Sequence, residues 1–427
     1  MSETGVILDL RIPSNSDKGR SCMYKIKRIH INGFRNISKT TIRFSDPVTV
    51  LLAPNNFGKT NVLHAIEFAA NLVGRGVEAQ ESLLKDNHYT SYNVFSDDEA
   101  KDKGREFSFE IDFVADGDEI RYAFKISPHK GVLEESLASE YVTFFERRAE
   151  ELSVHLPLDK INIVVSPYNL IASVLIDKDL KAGKYADTLR KLLFRMRSMF
   201  CNRESPHGEY MIEKKKKPID SVIRLYRDVD VRQYPLFKEK FLYLFKEIED
   251  FDIWDLYDRS RKVSRELLLD YRPEDYRIEF ISSSKRRPEL FSDLSTGTQD
   301  IFCLLLEVFM NRTKPLIMIE EIENGIHPSL FRKILETVDD VCKNNRVLVT
   351  THSPSVARYF KTRAFSSFYV GVPNQNGRTA FKAIDENKED EIKKMAKIHG
   401  CSIGEIIVDM LSDSDETIET LKGWLRG

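Results

Sequence analysis

Lys59 and Thr60 end an eight-residue segment, Ala53-Pro-Asn-Asn-Phe-Gly-Lys-Thr60, that almost matches the phosphate-binding pattern G-x-x-x-x-G-K-S/T. In that pattern backbone N–H groups surround phosphate oxygens, the lysine contacts the outer phosphates, and the hydroxyl ligates Mg²⁺. The first glycine of the pattern is replaced by Ala53, which fits only if its φ is negative. The segment alone is short enough to arise by chance, so its interpretation depends on other residues and on the surrounding elements.

Two adjacent carboxylates, Glu320 and Glu321, follow an apolar run at residues 316–319. A buried strand that ends in acidic residues places them at the carboxyl edge of a sheet, where open α/β sheets bind their ligands. One carboxylate could then hold Mg²⁺, usually through water, and the second could activate an attacking water molecule. The alternative is a core strand followed by an ordinary charged loop.

Three further polar residues lie where they could contact an anion. Ser295 and Gly297 stand at the start of a helix that continues through residues 301–306, and a helix N-terminus favours negative charge. The alternative for Ser295 is a plain N-cap. His352 follows a second apolar run at residues 347–349 and could contact a γ-phosphate, although a single histidine is more often structural.

The hydrophobic pattern contains the elements needed to position these residues. Residues 48–52 form a short apolar run before the loop, and residues 61–68 begin an amphipathic helix after it. This is the strand–loop–helix setting that a phosphate loop requires. Residues 106–113 and 119–126 alternate strictly around Asp116-Gly117 and predict a hairpin.

Between residues 157 and 272 the apolar period changes from two to that of a helix. The residues that recur at helical spacing are Leu189, Leu192, Leu193, Met196 and Phe200, and then Phe237, Phe241, Leu244 and Ile248. Neither series is long enough for a coiled coil, so we expect a compact helical arm. Residues 276–281 then return to the pattern of a strand.

The last part of the chain predicts a hairpin and a helical tail. Residues 365–384 are expected to turn at Asn376-Gly377, and short helices should follow, one of them with a capping box formed by Ser402 and Glu405. The apolar stripe of that helix consists of Ile403, Ile406, Ile407 and Met410. In the simpler interpretation the stripe packs against the rest of the chain, and in the other it docks a partner protein.

The composition argues against several classes of protein. With 427 residues, of which 41% are apolar and 31% charged, the chain can form two domains or one domain with an insertion. The net charge of −2 gives no overall attraction to nucleic acid or to a membrane surface. Five scattered cysteines without a C-x-x-C pair argue against a disulfide framework or a zinc site. No apolar run approaches the roughly 18 residues of a membrane span. Because residues 1–22 lack the apolar core of a signal peptide, we expect a cytoplasmic protein.

The motifs become more specific when their order is considered. Four motifs follow one another along the chain: the near-phosphate loop, Leu294-Ser-Thr-Gly297 before a helix, a strand ending in two glutamates, and a strand ending in histidine. In this order they resemble the ABC-type ATPase heads of the RecF, SMC and overcoming-lysogenization-defect (OLD) class. Ile29-His-Ile-Asn-Gly-Phe-Arg-Asn36 before the loop strengthens the resemblance. Glu320-Glu-Ile-Glu-Asn-Gly-Ile-His-Pro328 is especially typical of OLD-like members.

The fold that this resemblance implies is α/β, an ABC-type P-loop ATPase head with a mixed sheet and an antiparallel β subdomain. An inserted helical arm and a short helical C-terminal tail complete it. The expected organisation is a flexible N-terminal segment at 1–22, a head N-lobe with the loop at 23–130, the arm at 131–274, a head C-lobe at 275–384 and the tail at 385–427.

The resemblance also implies an ATP site shared by two protomers. The residues expected to bind the nucleotide are Asn55, Asn56, Phe57, Gly58, Lys59, Thr60 and Asn61 of one protomer, with Ser295 and Gly297 of its partner. Thr60 and Glu320 match the Mg²⁺ ligands, Glu321 the general base and His352 the residue that senses the γ-phosphate. Ala53 departs from the family pattern, and no convincing Q-loop glutamine is present, because Gln80 lies in a polar stretch. Slow hydrolysis is therefore expected.

Because the stretch after Phe360 is short, we do not expect the Toprim nuclease domain of OLD proteins. The resemblance therefore predicts a nucleotide-dependent sensor or regulator with a separately encoded effector, a nuclease or toxin, as in the Septu and PARIS types of anti-phage system. The alternatives are a RecF-like DNA-binding ATPase in DNA repair and a nucleotide-gated scaffold that hydrolyses little. DNA binding would depend on the basic residues between Arg190 and Lys217. In each case we expect a homodimer or higher oligomer formed through the heads, and no membrane partner.

Overall fold

The structure, a computed structural model, describes residues 25–74, 106–115, 117–127, 130–148, 153–156, 161–176, 186–190, 197–200, 222–223, 233–256, 276–285, 287–310, 315–323, 326–342, 345–354, 365–374 and 377–426. The expected flexible segment at 1–22, Gln80 and the lysines at 214–217 lie outside the described residues. All the residues predicted to bind ATP or Mg²⁺, or to act in catalysis, lie within them.

A six-stranded mixed sheet lies at the centre of the described structure. Its strands, in spatial order, are β10 (Arg197–Phe200), β14 (Leu316–Glu320), β15 (Arg346–Thr351), β3 (Val48–Leu52), β16 (Phe368–Pro373) and β17 (Thr379–Ala383). All neighbouring pairs are parallel except β16 and β17, which are antiparallel. Every residue of β3, β14 and β15 is buried, as expected for parallel strands that are covered on both faces. The strands predicted before the loop and before the two glutamates are confirmed.

A second six-stranded sheet is entirely antiparallel. Its strands, in spatial order, are β2 (Thr40–Arg43), β1 (Lys25–Asn32), β4 (Phe107–Ala115), β5 (Asp118–Ser127), β6 (Gly131–Ser139) and β7 (Thr143–Arg148). The predicted hairpin of β4 and β5 is confirmed. Gly117 at its turn has a φ of +99°, a conformation that glycine adopts without steric cost.

Two smaller antiparallel sheets contain the remaining strands of the described residues. One pairs β8 (Ser153–Leu156) with β9 (Ile161–Val164), and the other is formed by β11 (Ile248–Asp255), β12 (Tyr276–Ser282) and β13 (Glu289–Leu290). The strand predicted at residues 276–281 is confirmed as β12. It leads through β13 to the segment that carries Ser295.

Eight α-helices have defined bounds in the described residues. They are α1 (Lys59–Gly74), α2 (Ile171–Ile176), α3 (Gln233–Leu244), α4 (Thr296–Met310), α5 (Pro328–Val341), α6 (Glu389–Ile398), α7 (Ile403–Ser412) and α8 (Asp415–Lys422). Helix α1 starts at the loop and α4 starts directly after Ser295, as the motifs predict. No helix of the described ranges combines the length and the apolar character that crossing a bilayer requires.

The central sheet separates two hydrophobic cores. On one face, Leu51 and Leu348 pack with α1 and with the antiparallel sheet. On the other face, Val50 and Val349 pack with α3, α4, α5 and the helical tail. Adjacent residues of one strand thus face different layers, as the two-residue period of a strand requires. The carboxyl ends of β3, β14 and β15 are therefore held between two packed layers.

The prediction of a helical arm at residues 131–274 is wrong in part. Residues 131–148 form β6 and β7, which continue the antiparallel sheet, and further strands fall within the same interval. The helical spacing up to Phe200 is also misleading, because residues 197–200 form β10 and pair in parallel with β14. Such a strand depends on a partner far along the chain, and a short apolar run does not distinguish it from a helix. Helices α2 and α3 and the helical residues 186–190 do lie in this interval.

The C-terminal hairpin and tail follow the prediction. Strands β16 and β17 form the hairpin, with Gly377 at a φ of +71° in its turn. Ser402 and Glu405 form the expected capping box at the start of α7. The buried members of the apolar stripe, Ile406, Ile407 and Met410, belong to the core beneath the central sheet. The simpler interpretation, in which the stripe packs against the head, is confirmed.

Candidate functional site

The near-phosphate loop connects β3 to α1, as predicted. Among the described non-glycine residues, positive φ occurs at Arg35, Asn56 and Glu321, so Ala53 has the negative φ that its side chain requires. Asn56 and Gly58, at +66° and +86°, are the two loop residues in the left-handed region. The loop therefore accommodates alanine at its first position without backbone strain there.

The space around Ala53 is provided by a glycine for which the sequence motifs gave no signal. Ala53 is fully buried and lies beside Gly371 of β16. A Cβ atom at position 371 would lie 2.9 Å from Ala53 Cβ and 2.9 Å from Cε1 of Phe381. Glycine on the neighbouring strand thus makes room for the methyl group that the phosphate-binding pattern normally lacks.

The other loop residues differ in exposure. Asn55 and Asn56 are exposed, whereas Phe57 is partly buried and packs against both cores. A side chain at position 58 would be strained, because φ is +86° there and a Cβ would lie 2.5 Å from Oδ1 of Asn36. The exposed tip with its backbone N–H groups is the part of the loop that can surround an anion.

A polar network from the segment before the loop holds the first turn of α1. Asn61 Nδ2 donates a hydrogen bond to Asn36 Oδ1 at 2.7 Å, and Asn61 Oδ1 accepts one from Arg35 Nη1 at 2.8 Å. Arg35 has a φ of +48°, and its guanidinium lies 5.5 Å from the centre of the Phe34 ring. Asn61, predicted to bind the nucleotide, is therefore engaged by the motif at residues 29–36.

Lys59 lies at the centre of the candidate site. It is only 5% exposed, and its Nζ donates to the carbonyl oxygens of Ala53 at 2.8 Å and Pro54 at 3.0 Å. Burial lowers the pKa of Lys59, whereas the nearby carboxylates of Glu321, Glu323 and Glu320 raise this pKa. Neutral carbonyls compensate a buried ammonium only in part, so charged phosphate oxygens would be stronger acceptors for it.

Thr60 and Glu320 contact each other across the site. The hydroxyl of Thr60 donates a hydrogen bond to Oε1 of Glu320, which is a buried residue at the end of β14. Burial raises the pKa of Glu320, and Glu321 adds to this effect, whereas the Thr60 hydrogen bond and Lys59 oppose it. A hydroxyl and a carboxylate are hard oxygen ligands, so this pair fits the Mg²⁺ that the resemblance implies.

Glu321 follows directly, in an uncommon backbone conformation. Its φ is +44°, and its N–H donates to Oγ1 of Thr350 at 2.9 Å, which joins the ends of β14 and β15. Non-glycine residues with positive φ occur often at functional sites, because the surrounding structure must compensate their strain. The turn leaves Glu321 partly exposed beside buried Glu320.

His352 is connected to the acidic segment through Glu323, a residue of the motif at 320–328 for which the sequence predicts no role. Oε1 of Glu323 accepts hydrogen bonds from the backbone N–H groups of His352 at 2.7 Å and Ser353 at 3.2 Å. The Nδ1 atom of His352 lies 3.0 Å from the same oxygen, without the alignment of a hydrogen bond. The predicted residues after β14 and β15 are thus brought into one cluster.

Ser295 and Gly297 lie apart from this cluster. Oγ of Ser295 accepts from the N–H of Thr298 at 3.2 Å and contacts the hydroxyl of Thr298 at 2.7 Å. This is an N-cap of α4, which was the alternative interpretation. Ser295 is exposed and Gly297 partly exposed, so this turn lies at the surface of the protomer. Of the predicted residues, the structure brings together Lys59, Thr60, Glu320, Glu321 and His352, and it leaves Ser295 and Gly297 in a separate exposed turn.

Two family models match the chain. Residues 24–169 match the model described as "AAA ATPase domain", and residues 202–358 match the model described as "AAA domain, putative AbiEii toxin, Type IV TA system". The first match includes the loop with Lys59, and the second includes Ser295, both glutamates after β14, and His352. Each match covers less than half of the chain.

Two curated proteins named "DNA replication and repair protein RecF" are similar over short stretches. The protein from Thermosynechococcus vestitus is 33% identical over 63 residues, which is 15% of this chain and 17% of that protein. The protein from Acaryochloris marina is 35% identical over 66 residues, or 16% of this chain and 18% of that protein. The chain therefore matches only a minor part of the length of these relatives.

Among solved structures, the chain is similar to an SMC head domain from Thermotoga maritima, with a TM-score of 0.46 and 14% identity over 84% of this chain and 99% of that one. It is also similar to an SMC head bound to the C-winged helix domain of ScpA, with a TM-score of 0.47 and 13% identity over 86% and 99% of the two chains. The chain thus matches ATPase-domain models in two regions, and a short stretch of it is similar to RecF proteins.

Proposed function

We propose that this chain is an ABC-type ATPase that binds ATP with Mg²⁺ and hydrolyses it at the carboxyl ends of β3, β14 and β15. The observation that carries the proposal is a convergence of groups from distant parts of the sequence. Lys59 and Thr60 at the start of α1 lie beside Glu320 and Glu321 after β14. A buried ammonium, a helix N-terminus and paired carboxylates are together suited to a phosphate chain with a divalent cation.

The loop and α1 would bind the phosphates. Backbone N–H groups and the positive end of α1 provide neutral donors and a favourable field. Lys59 Nζ would exchange its hydrogen bonds to two loop carbonyls for bonds to phosphate oxygens. Thr60 and Glu320 would hold Mg²⁺, which neutralises charge on the phosphate oxygens when it is bound.

Glu321 is the carboxylate that we assign as general base. Glu320 is buried and accepts the hydrogen bond of the Thr60 hydroxyl, so its carboxylate is less available to orient an attacking water. Glu321 is partly exposed, and its backbone is fixed by Thr350. It would orient the water and accept its proton, while His352 contacts the γ-phosphate from the end of β15.

A second copy of the chain would complete the site. Ser295 is exposed and Gly297 partly exposed at the start of α4, where hydroxyl, amides and helix dipole favour an anion. In ABC-type heads the corresponding turn meets the nucleotide of the partner. We therefore assign ATP-dependent dimerisation through the heads to this chain.

For the biological role, we favour a nucleotide-dependent regulator of a separately encoded effector, a nuclease or toxin, in anti-phage defence. One observation favours this role: the description of the family that matches residues 202–358 names a toxin and a type IV toxin–antitoxin system. Purification of the chain with the product of its neighbouring gene, with and without ATP, tests this role. A nucleotide-dependent complex with a nuclease or toxin is the expected result.

The second candidate role is a RecF-like ATPase that binds DNA in repair. The 33% and 35% identities to RecF proteins favour it, over short stretches. Binding of duplex DNA that requires ATP and weakens steeply with salt would support this role. Absence of binding at low salt would exclude it and leave the regulator of a separate effector.

Lys59→Ala tests the ATPase itself. Removal of the buried ammonium should weaken binding of a fluorescent ATP analogue by about 100-fold, because charge-assisted hydrogen bonds to phosphate are lost. Phosphate release should fall to background at the same time. Lys246→Ala, at an exposed lysine after α3, is the matched control and should behave as the wild type. Wild-type turnover by the Lys59 variant would refute the proposed site.

A further inference from the structure

Glu323 joins two turns that carry proposed catalytic groups. It lies two residues after Glu321, and its Oε1 accepts hydrogen bonds from the N–H groups of His352 and Ser353, at 2.7 Å and 3.2 Å. The side chain is only 13% exposed. The turn after β15 is thus anchored to the turn after β14 by one carboxylate oxygen.

The second oxygen of this carboxylate is costly to the fold. Oε2 of Glu323 is buried and has no hydrogen-bond partner among the described residues. An unsatisfied buried acceptor destabilises the folded state, and more so when the group is charged. An orphaned carboxylate oxygen beside the proposed catalytic groups therefore needs an explanation, for which a functional role is a candidate.

The imidazole of His352 has a defined orientation relative to Glu323. Its Nδ1 is buried and lies 3.0 Å from Glu323 Oε1, whereas the side chain as a whole is 42% exposed. The buried edge of the ring therefore faces the carboxylate. Nε2 is then the ring nitrogen that remains available to a ligand at the ends of the strands.

We propose that Glu323 is a positioning residue for His352: it holds the turn after β15 and keeps Nδ1 inward, so that Nε2 is the atom that meets the γ-phosphate. The inference deepens the proposed ATPase function and rests on it. It adds that the acidic segment after β14 controls the γ-phosphate contact as well as the base and the Mg²⁺ ligand. Glu323 acts through His352 and does not itself touch the nucleotide.

Substitution of Glu323 should affect turnover more than nucleotide binding. Glu323→Ala removes both N–H acceptors, and displacement of the ring by about 1 Å should lower kcat by about 10- to 100-fold, with little change in the affinity for ATP. Glu323→Gln keeps an oxygen that can accept both N–H bonds, so it should retain more activity than the alanine variant. Glu336→Ala, at an exposed glutamate of α5, is the control and should keep wild-type kcat.

A double-mutant cycle with His352→Ala separates positioning from a general effect on stability. If Glu323 acts through His352, Glu323→Ala should cause little further loss of kcat once the imidazole is absent. Additive losses, or an unchanged kcat in Glu323→Ala, would overturn the inference. If the alanine variant is unfolded, the same comparison is made with Glu323→Asp, whose shorter side chain withdraws the oxygen from the N–H groups of His352 and Ser353.

The inference and the proposed ATPase can fail separately. A wild-type chain that binds no ATP refutes the proposed function. In that case ¹⁵N resonances of histidine-labelled protein still report the protonation of Nδ1 and Nε2 of His352. Resonances that are identical in the wild type and in Glu323→Ala would refute the positioning role by itself.

Discussion

The side chain of Ala53 occupies space that Gly371 leaves open on the adjacent strand β16. The first position of the loop carries a methyl group where the phosphate-binding pattern has glycine, and the facing position of the sheet carries no side chain. Both residues lie in a close-packed layer with the ring of Phe381, where one additional methyl group would disturb the packing. The departure from the phosphate-binding pattern is thus a local packing exchange, compatible with an intact loop.

This exchange predicts the effect of filling position 371. Gly371→Ala should lower the free energy of unfolding by about 1–3 kcal/mol, because the new Cβ would overlap Ala53 and the Phe381 ring. Adding Ala53→Gly should recover part of this loss, because it removes the opposing methyl group. Chemical denaturation of both variants, with Ala53→Gly alone as the control, measures the coupling. If the changes in the free energy of unfolding are strictly additive, the side chains at positions 53 and 371 do not compete for the same space.

Sequence motifs predicted the central groups of the site, because those groups belong to local patterns. Lys59 and Thr60 close the loop, and Glu320 and Glu321 end an apolar strand. Glu323 and Gly371 gave no such signal, since their roles arise from contacts with residues distant in the sequence. The acidic motif around Glu323 can be recognised in the sequence. Which backbone N–H groups its carboxylate contacts depends on the pairing of β14 with β15.

Elements with a strong local period were predicted well, and those defined by distant pairing were not. The hairpin of β4 and β5 has strict alternation and a glycine turn, so its residues alone define it. Strand β10 has four residues, and its partner β14 lies far along the chain. Strands β6 and β7 extend a sheet whose earlier strands were recognised, but their pairing is likewise set by tertiary structure.

A buried ionisable group connects β6 to helix α2 within the antiparallel layer. Glu135 on β6 accepts hydrogen bonds from the N–H groups of Ile171 and Ala172 and from the hydroxyl of Tyr122, the last at 2.9 Å. Burial raises the pKa of Glu135 to about 7, although these hydrogen bonds and Arg147 oppose the shift. The folded protein therefore keeps a proton that the unfolded chain has already lost.

The stability of this layer should depend on pH in a defined direction. Between the ordinary pKa of 4.5 and the raised value of about 7, the native state binds more protons than the unfolded state, so stability falls as pH rises. The loss attributable to Glu135 should reach about 3 kcal/mol by pH 8.

Glu135→Gln removes this titration. The free energy of unfolding of the wild type should therefore fall relative to that of the variant as pH rises. Chemical denaturation at pH 5, 6, 7 and 8 measures it. Glu134→Gln, at the next residue on the solvent side of β6, is the control. A difference that does not vary with pH would contradict the buried proton.

For the whole molecule, the central sheet unites segments from both matched ATPase regions. Strand β3 and α1 come from the first region, and β14 and β15 come from the second; β3 pairs with β15 in the spatial order β14, β15, β3. Assembly of the proposed ATP-binding groups of one protomer therefore requires most of the chain to be folded. The turn with Ser295 is exposed directly before α4, which is why we propose that a second molecule completes the site.

Dimerisation through the Ser295 turn gives the last prediction. Glu321→Gln should bind ATP without hydrolysing it and should accumulate as a dimer, measured as a doubling of mass by light scattering. Adding Ser295→Arg should keep ATP binding but shift the dimer to monomer by at least about tenfold, because a bulky cation at the turn blocks close approach of the partner's loop. Loss of the Ser295 N-cap costs about 1 kcal/mol, which a thermal unfolding scan must show to be tolerated. Ser412→Arg, at an exposed serine ending α7, is the matched control and should leave the dimer intact. Dimers that persist with Ser295→Arg would show that the partner's turn does not complete the ATP site.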